Sequence, residues 1–339
     1  MTLRLSTEVL TLHTRHPFAI ARGSNSEYRT LMVKLVDDDG IEGWGEAAAT
    51  RFYGETLATV EAALATYAPL IGDDPWQLDT IERQLELTLS GNAAARVAIS
   101  AALHDLVGKR LGVPLWRYWG LDAARAPQST FTIGIDVPEV LRRKVKEAAE
   151  YPILKVKLGS ADDRRILSTL RDATDRELRV DANCAWTAAQ AVSMLPVLEE
   201  FGVTVLEQPV AADDLDGLLH VRRHARIPII ADESCVTSRD IPRVVGRVDG
   251  INIKLAKCGS LREALRMIAI ARAHQMTVMV GCMIESSLGI TAAAHLTPLV
   301  DIVDLDGAAL LSDDPFAGAT IPGGQVTLPD RPGLGVVRR

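Results

Sequence analysis

The chain has 339 residues, of which 47% are hydrophobic and 24% charged, the balance of an ordinary globular protein. A formal net charge of −7, with lysines and arginines scattered along the sequence, argues against a nucleic-acid partner. No apolar run approaches a membrane span, the N-terminus has no signal-peptide pattern, and the four cysteines form no disulfide or metal pattern. We therefore expect a cytoplasmic protein with reduced thiols and no membrane partner.

Strand patterns come first along the chain, and helical patterns follow them. Residues 3–13 and 29–36 alternate or run apolar as strands do, and the sequence Asp-Asp-Asp-Gly at 37–40 is typical of a hairpin turn. Three helical stretches follow, and the third runs from about residue 93 to 110 and ends at Gly112. This order of elements predicts a small α+β domain.

From about residue 130, eight short apolar strand patterns alternate with helical patterns. Equivalent positions in successive strands are 22–28 residues apart. Such even spacing predicts a closed parallel (β/α) barrel, with an open doubly wound sheet as the alternative. No GxGxxG follows an early strand, which argues against a dinucleotide-binding sheet. The predicted strands are 130–135, 153–158, 178–183, 203–208, 228–233, 250–255, 277–282 and 302–307.

Charged residues stand at the ends of most of these strands, although a buried parallel strand should be almost entirely apolar. In a barrel the C-terminal ends of all strands open onto one face, where active sites are built. A single charged strand end could cap the next helix, but a series in register indicates a functional site. The residues are Lys155, Lys157, Asp181, Glu207, Asp232, Lys254, Asp304 and Asp306.

Asp181, Glu207 and Asp232 follow consecutive strands and supply only oxygen ligands. No histidine or cysteine converges with them, so the pattern predicts a hard divalent cation, Mg²⁺, with Mn²⁺ as a substitute. A substrate carboxylate bound to that cation would have its developing enolate charge stabilised. None of the seven histidines falls at a predicted strand end, which argues against a Ser-His-Asp hydrolase.

The lysines suggest acid–base chemistry. Lys155 and Lys157 are two residues apart and share a face of their strand, while Lys254 lies about four strands further round the barrel. Lys155 could lower the pKa of Lys157, and a cation and burial could act on Lys254. Two bases on opposite faces of one carbon permit inversion, because one removes the proton and the other returns it. Alternatively, the lysines only form buried salt bridges with the carboxylates.

The motifs KVK, DAN, EQP, ADES and NIKLAKCGS, in this order, resemble the enolase superfamily and, within it, the muconate-lactonising subgroup. The resemblance covers essentially the whole chain. It implies a (β/α)7β TIM-like barrel at residues 121–319, capped by an α+β domain of residues 1–120 and the C-terminal tail 320–339.

The resemblance also implies a role for each motif residue. Asp181, Glu207 and Asp232 would bind one Mg²⁺ per subunit, and Lys157 and Lys254 would form the acid/base pair. Lys155 would assist them. The subgroup with a histidine base on the seventh barrel strand is disfavoured, since that strand ends in Gly-Cys.

Within the superfamily, the chain resembles the dipeptide epimerases. Asp304 and Asp306 in DLDG resemble their Asp-x-Asp motif, which holds the substrate ammonium, and two carboxylates on one face suit that group. Residues 17–27 and 51–56 resemble the two capping-domain loops that close over substrate. The further substrate-binding positions that the resemblance implies are Thr132, Cys282, Met283 and Ile284.

The chain departs from the Ala-Glu epimerases in the first capping loop. Those enzymes carry an arginine there that binds the glutamate side chain, and this chain has Asn25, with Arg22 nearby but not at that position. An amide does not replace a bidentate arginine contact, so the accepted side chain could be neutral or hydrophobic. Arg22 and Asn25 both remain candidate substrate-binding residues.

We therefore predict an isomerase: a Mg²⁺-dependent dipeptide epimerase that inverts the α-carbon of the C-terminal residue through an enolate. An N-acylamino acid racemase or a cycloisomerase of the same superfamily is the alternative, although its substrates offer no free ammonium to DLDG. An alternative from another class is a Schiff-base lysine aldolase. The expected partner is a small-molecule dipeptide, and a homo-oligomer is one option for the assembly.

Overall fold

The computed structural model describes residues 2–339. Its first part is an antiparallel sheet in the order β1–β2–β3, formed by β1 (Arg4–Ile20), β2 (Gly23–Val36) and β3 (Glu42–Ala47). A glycine in β3 allows a helix to lie directly against this sheet, because a Cβ at Gly45 would stand 2.0 Å from the carbonyl oxygen of Ala98.

The capping domain continues with helices. The third is rich in alanine and buried along most of its length, and Gly112 ends it in a left-handed conformation with φ 71°. The predicted third helix is thus confirmed. The helices are α1 (Leu57–Tyr67), α2 (Leu78–Thr88), α3 (Ala93–Leu111) and α4 (Leu115–Tyr118).

The first two strands are longer than the sequence predicts. β1 continues past residue 13, and β2 begins before residue 29. The added residues form a hairpin in which Phe18 is paired with Asn25 and Ile20 with Gly23. Most of these extra residues are at least partly exposed. Since an exposed ribbon buries neither face, its sequence needs no apolar alternation. The first segment that resembles a capping loop is therefore the tip of a β-hairpin.

All eight barrel strands are confirmed and form one parallel sheet in chain order. A parallel bridge between Ser129 and Val303, with Thr130 N donating to Val303 O at 3.1 Å, joins the last strand to the first and closes the barrel. The strands are β4 (Phe131–Ile133), β5 (Ile153–Lys157), β6 (Glu177–Asp181), β7 (Val203–Glu207), β8 (Ile229–Ala231), β9 (Gly250–Lys254), β10 (Thr277–Gly281) and β11 (Ile302–Asp304).

Helices connect these strands, but β11 is followed only by a short 3₁₀ turn at Ala308–Leu310. The architecture is therefore the expected (β/α)7β barrel. Its helices are α5 (Pro138–Glu147), α6 (Asp163–Ala173), α7 (Ala188–Glu200), α8 (Leu215–His224), α9 (Ile241–Val244), α10 (Leu255–Cys258), α11 (Leu261–Ala273) and α12 (Ser287–Ala294).

The strand register brings the charged strand ends to one level of the barrel. Lys157 is paired with Asp181, and Asp181 with Glu207. A small cluster of buried apolar residues comes from the strands β7, β8, β10 and β11. Its members are Val205, Ile230, Met279 and Ile302.

The C-terminal tail returns to the capping domain. The two-residue strands β12 (Phe316–Ala317) and β13 (Val337–Arg338) pair with each other. Leu334 N donates to Asp105 Oδ1 of α3 at 2.8 Å. Within residues 2–339, no helix combines the length and apolar character needed to cross a bilayer.

Candidate active site

Asp181, Glu207 and Asp232 converge at the C-terminal mouth of the barrel. One carboxylate oxygen from each lies within 4.8 Å of the others, and all three residues are buried. Polar neighbours fix their orientation. Asp181 Oδ1 accepts from Asn183 N at 2.8 Å, and Glu207 Oε1 accepts from Asn252 Nδ2 at 2.8 Å. The three predicted metal ligands are thus brought together in a preorganised arrangement.

Two residues just beyond the strands have unusual backbone conformations. Asn183 and Gln208 have positive φ angles of 48° and 34°, which non-glycine residues adopt only where the surroundings stabilise them. Gln208 Oε1 accepts from the backbone N of Asp232 at 2.9 Å and of Ser234 at 3.1 Å. The Gln208 side chain therefore fixes the backbone at Asp232, which carries the third carboxylate.

The electrostatic surroundings of the three carboxylates differ. Burial would raise the pKa of Asp181, but the ammonium charges of Lys157 and Lys155 outweigh it and lower the pKa below its usual range. Burial and the neighbouring charge of Asp181 raise the pKa of Glu207. Negative charge is therefore crowded around Glu207, and a divalent cation among the three carboxylates would relieve that repulsion.

Lys155 lies at the centre of the site and is almost fully buried. Its Nζ is 2.7 Å from Glu207 Oε2, 2.7 Å from Asp304 Oδ2 and 3.3 Å from Asp181 Oδ2. The charges of these carboxylates outweigh the effect of burial and raise the pKa of Lys155 well above its usual range. It is therefore a permanent cation that joins two groups of carboxylates.

The other two predicted lysines end the strands β5 and β9, which lie on either side of the three strands that lead to the carboxylates. Lys157 Nζ lies 2.6 Å from Asp181 Oδ2, and Lys254 Nζ lies 2.7 Å from Asp232 Oδ2. Burial would lower the pKa of Lys254, but among the protein groups alone the charges of Asp232 and Glu207 outweigh it and raise the pKa. The salt bridges considered as an alternative are present, on two of the carboxylates that could hold a cation.

The residues around the cluster fit a hydrated divalent cation. Three buried oxygens beside it have no hydrogen-bond donor in residues 2–339. Mg²⁺ keeps several water ligands in its octahedral shell, and such waters would supply those donors. Asp181, Glu207 and Asp232 could therefore hold the ion. The unpartnered oxygens are Asn183 Oδ1, Glu233 Oε2 and Asn252 Oδ1.

Asp304, Asp306 and Thr132 form a second acidic group across the mouth. Thr132 N donates to Asp306 Oδ2 at 2.5 Å, and its hydroxyl donates to Asp306 Oδ1 at 3.2 Å. Burial and the charge of Asp304 raise the pKa of Asp306 to about 7. Burial would also raise the pKa of Asp304, but the charge of Lys155 outweighs it. Within residues 2–339, Asp306 is thus a buried carboxylate without an ion pair of its own, and the charge of Lys155 offsets only part of the rise in its pKa.

The loop after β10 carries Cys282, Met283 and Ile284, all half-buried. A Cβ at Gly307 would lie 2.4 Å from Met283 O and 3.2 Å from Cys282 Sγ, so this loop packs directly beside the Asp304–Asp306 segment. Burial raises the pKa of the Cys282 thiol well above its usual range. The loop thus presents neutral side chains at the mouth.

The tip of the β1–β2 hairpin reaches the site through Arg22. Its Nη1 donates to Glu233 Oε1 at 2.9 Å and to Asn183 O at 2.8 Å. The guanidinium also lies 4.4 Å from the centre of the Phe52 ring, which belongs to the second capping segment. Asn25 is exposed on β2, opposite Phe18. Of the two hairpin candidates, Arg22 therefore makes the contacts with the site.

Sequence reasoning missed several residues of this arrangement. Gln208, Asn183 and Asn252 hold the ligands, although each lies in or next to a motif that the sequence displays. Lys257 is buried and its Nζ lies 2.5 Å from Asp232 Oδ1. Its signal is the second lysine of NIKLAKCGS, three residues after Lys254, which one helical turn would bring to the same side.

Comparison with known proteins agrees with this geometry. Residues 139–338 match the family model of the enolase C-terminal domain-like fold, and residues 5–120 match the N-terminal domain of mandelate racemase / muconate lactonizing enzymes. The chain is 41% identical to the L-Ala-D/L-Glu epimerase of Bacteroides thetaiotaomicron, over 96% of this chain and 86% of that protein.

Two further relatives show the same relationship. The L-Ala-D/L-amino acid epimerase of a Maribacter species is 39% identical over 98% of this chain and 99% of that protein. The crystal structure of a dipeptide epimerase from Enterococcus faecalis, complexed with Mg and L-Leu-L-Tyr, superposes with a TM-score of 0.94 at 32% identity, covering 99% of each chain. The chain therefore belongs to the enolase superfamily, in the mandelate racemase / muconate lactonizing enzyme family, with dipeptide epimerases as its relatives.

Proposed function

We propose that this protein is a Mg²⁺-dependent dipeptide epimerase that inverts the α-carbon of the C-terminal residue. The observation that carries the proposal is that Lys157 and Lys254 end the strands β5 and β9, on either side of the three strands that lead to the acidic cluster. A carbon held between two amines can lose its proton to one and regain it from the other, which inverts its configuration.

The cation would be held by Asp181, Glu207 and Asp232. A Mg²⁺ ion held there would stabilise the negative charge that develops on a substrate carboxylate when the neighbouring proton is removed. Lys155, fixed among the carboxylates, adds a permanent positive charge beside them. Lys157 and Lys254 then differ from Lys155 in role: each has one carboxylate partner and can exchange a proton with the α-carbon.

Asp306, with Asp304 and Thr132, would bind the free ammonium of the dipeptide. Burial and the charge of Asp304 raise the pKa of Asp306, and a substrate ammonium beside it would offset both effects. Cys282, Met283 and Ile284 would contact substrate from the loop after β10.

The side chain of the inverted residue would face the hairpin tip. Arg22 already bonds to Glu233, and Asn25 is an amide on the exposed ribbon, so neither provides an unpaired cation for an acidic side chain. The C-terminal residue of the dipeptide differs between the named relatives: one is an L-Ala-D/L-Glu epimerase, and another is complexed with L-Leu-L-Tyr. We propose that this chain accepts neutral or hydrophobic residues at the C-terminal position.

The other candidate functions fit the site less well. A racemase of N-acylated amino acids or a cycloisomerase would leave Asp306 without a cationic partner. A Schiff-base aldolase needs a lysine in an apolar pocket, and Lys155, Lys157 and Lys254 all contact carboxylates. A cytoplasmic location and a homo-oligomeric assembly stay predictions from the sequence.

The test is incubation with Mg²⁺ and a pooled library of L,L-dipeptides in D₂O, followed by mass spectrometry. We expect uptake of a single deuterium by dipeptides with neutral or hydrophobic C-terminal residues, abolished by EDTA and restored by added Mg²⁺. Exchange confined to N-acylated amino acids would reject the dipeptide function and retain the two-lysine chemistry.

A further inference from the structure

Lys257 is a fourth lysine in direct contact with the acidic cluster. The one-turn helix α10 starts directly after Lys254, so Lys257 returns to the side of Asp232 three residues later. Its Nζ lies 2.5 Å from Asp232 Oδ1, 2.6 Å from Asp232 O, 2.9 Å from Asn252 O and 3.2 Å from Cys235 O. The residue is 1% exposed.

This set of contacts distinguishes Lys257 from Lys254. An ammonium has three N–H donors, and the four oxygens around Lys257 occupy all of them. The Nζ of Lys254 has a single hydrogen bond in the described chain, to Asp232 Oδ2 at 2.7 Å. Lys257 therefore has no donor left for substrate, whereas Lys254 has donors that can face it.

The contacts of Lys257 also tie two strand ends together. Asp232 and Cys235 follow β8, and Asn252 belongs to β9. The side chain of Asn252 in turn donates to Glu207 Oε1 at 2.8 Å. One buried ammonium thus links the backbone of both strands to one oxygen of the Asp232 carboxylate. The second oxygen of that carboxylate faces Lys254.

We propose that Lys257 is a positioning residue that holds one oxygen of Asp232, so that the other oxygen is presented to the bound cation and to Lys254. The inference rests on the proposed function, because it requires that Asp232 binds the cation. It gives a role to a buried lysine whose N–H donors are all directed at protein oxygens.

The positioning role and a purely electrostatic role predict opposite effects on cation binding. If Lys257 acted only through its charge, replacing it with a neutral side chain would tighten Mg²⁺ binding, because a neighbouring positive charge repels the ion. If it positions Asp232, its loss leaves that carboxylate free to turn and its Oδ1 buried without a donor, and Mg²⁺ binding weakens.

The experiment is a calorimetric titration of the full-length protein with Mg²⁺ in the absence of substrate. We expect Lys257→Met to weaken Mg²⁺ binding by about 10- to 100-fold, the range typical for groups that orient metal ligands. Lys144→Met is the matched control, since Lys144 is a buried lysine of α5 whose Nζ bonds to Asp136 at 3.1 Å. We expect it to bind Mg²⁺ with unchanged affinity.

A Lys257→Met protein that is folded by circular dichroism and binds Mg²⁺ as tightly as the unmodified chain, or more tightly, overturns the inference. If that variant does not fold, Lys257→Arg decides. It keeps the charge, but a planar guanidinium cannot meet four convergent oxygens, so weaker binding supports positioning and equal binding overturns it. An unmodified chain that binds no Mg²⁺ rejects the metal centre of the proposed function and this inference with it.

Discussion

The two ends of the site contain the same chemical group in different surroundings. At the end formed by Asp181, Glu207 and Asp232, ammonium groups contact the carboxylates, and the charges of Lys157 and Lys155 overcome burial to lower the pKa of Asp181. At the other end, Asp306 accepts from Thr132, and burial with the charge of Asp304 raises its pKa to about 7. The role of each carboxylate therefore follows from its neighbours, and not from its residue type.

Lys155 connects the two ends of the site. Of the substitutions considered, its replacement should have the largest effect, which is a loss of stability. Lys155→Met leaves Glu207 and Asp304 buried without their shared cation, and breaking a buried ion pair typically costs about 3–5 kcal/mol. We expect the free energy of unfolding to fall by that amount in urea titrations without Mg²⁺. Unchanged stability would show that the two ends do not depend on one another.

Asp306→Asn tests only the end of the site formed by Asp304, Asp306 and Thr132. The amide keeps the shape of the side chain but loses the charge, and a hydrogen bond to a charged group contributes about 1.5–3 kcal/mol. We expect kcat/KM for dipeptides to fall by about 10- to 100-fold, mainly through KM, with Mg²⁺ affinity unchanged. An equal loss of Mg²⁺ affinity would contradict the division of the site into two ends.

The pH dependence should report the same group. Because burial raises the pKa of Asp306 to about 7, this carboxyl is neutral in acid and binds an ammonium weakly there. We expect kcat/KM for dipeptides to rise as the pH increases through about 7, and to fall again above the pKa of the dipeptide amine, near ~8. In Asp306→Asn the rise on the acidic side should disappear; its persistence would assign the rise to another group.

The hairpin tip should give the smallest effects. Arg22 contacts Glu233 and Asn183, so we expect Arg22→Ala to raise KM by about 10-fold, equivalent to one charged hydrogen bond. Asn25 is exposed, and Asn25→Ala should change KM by less than about 2-fold, as surface substitutions do. Steady-state kinetics on one neutral dipeptide decides. A larger effect at Asn25 would place substrate against the exposed ribbon.

The barrel and its cluster of three carboxylates could be predicted because one physical constraint acts on both. Strands buried on two faces must be apolar, so Asp181, Glu207 and Asp232 stand out in the sequence, and even spacing places them at one level. The division into a capping domain of residues 1–120 with 320–339 and a barrel of 121–319 stays a prediction, supported by the contacts of the tail with α3.

Other features depend on contacts that no local pattern displays. The role of Lys257 arises from backbone carbonyls of two other strand ends, and the extent of the β1–β2 hairpin arises from pairing between exposed polar residues. The helix α7 begins at Ala188 and contains Pro196 in its interior, a residue that lacks the backbone N–H of a regular helix. The roles of the substrate-binding residues also stay predictions.

The central claim is that Lys157 and Lys254 act on opposite faces of one carbon. The most direct measurement is α-proton exchange in D₂O, with Lys157→Ala and Lys254→Ala each supplied separately with the L,L and the L,D form of one dipeptide. We expect both variants to lose epimerisation by about 10²- to 10⁴-fold. Each variant should still exchange the α-proton of one form of the dipeptide, the L,L form in one variant and the L,D form in the other. If either variant epimerises at the unmodified rate, the two-base account is wrong.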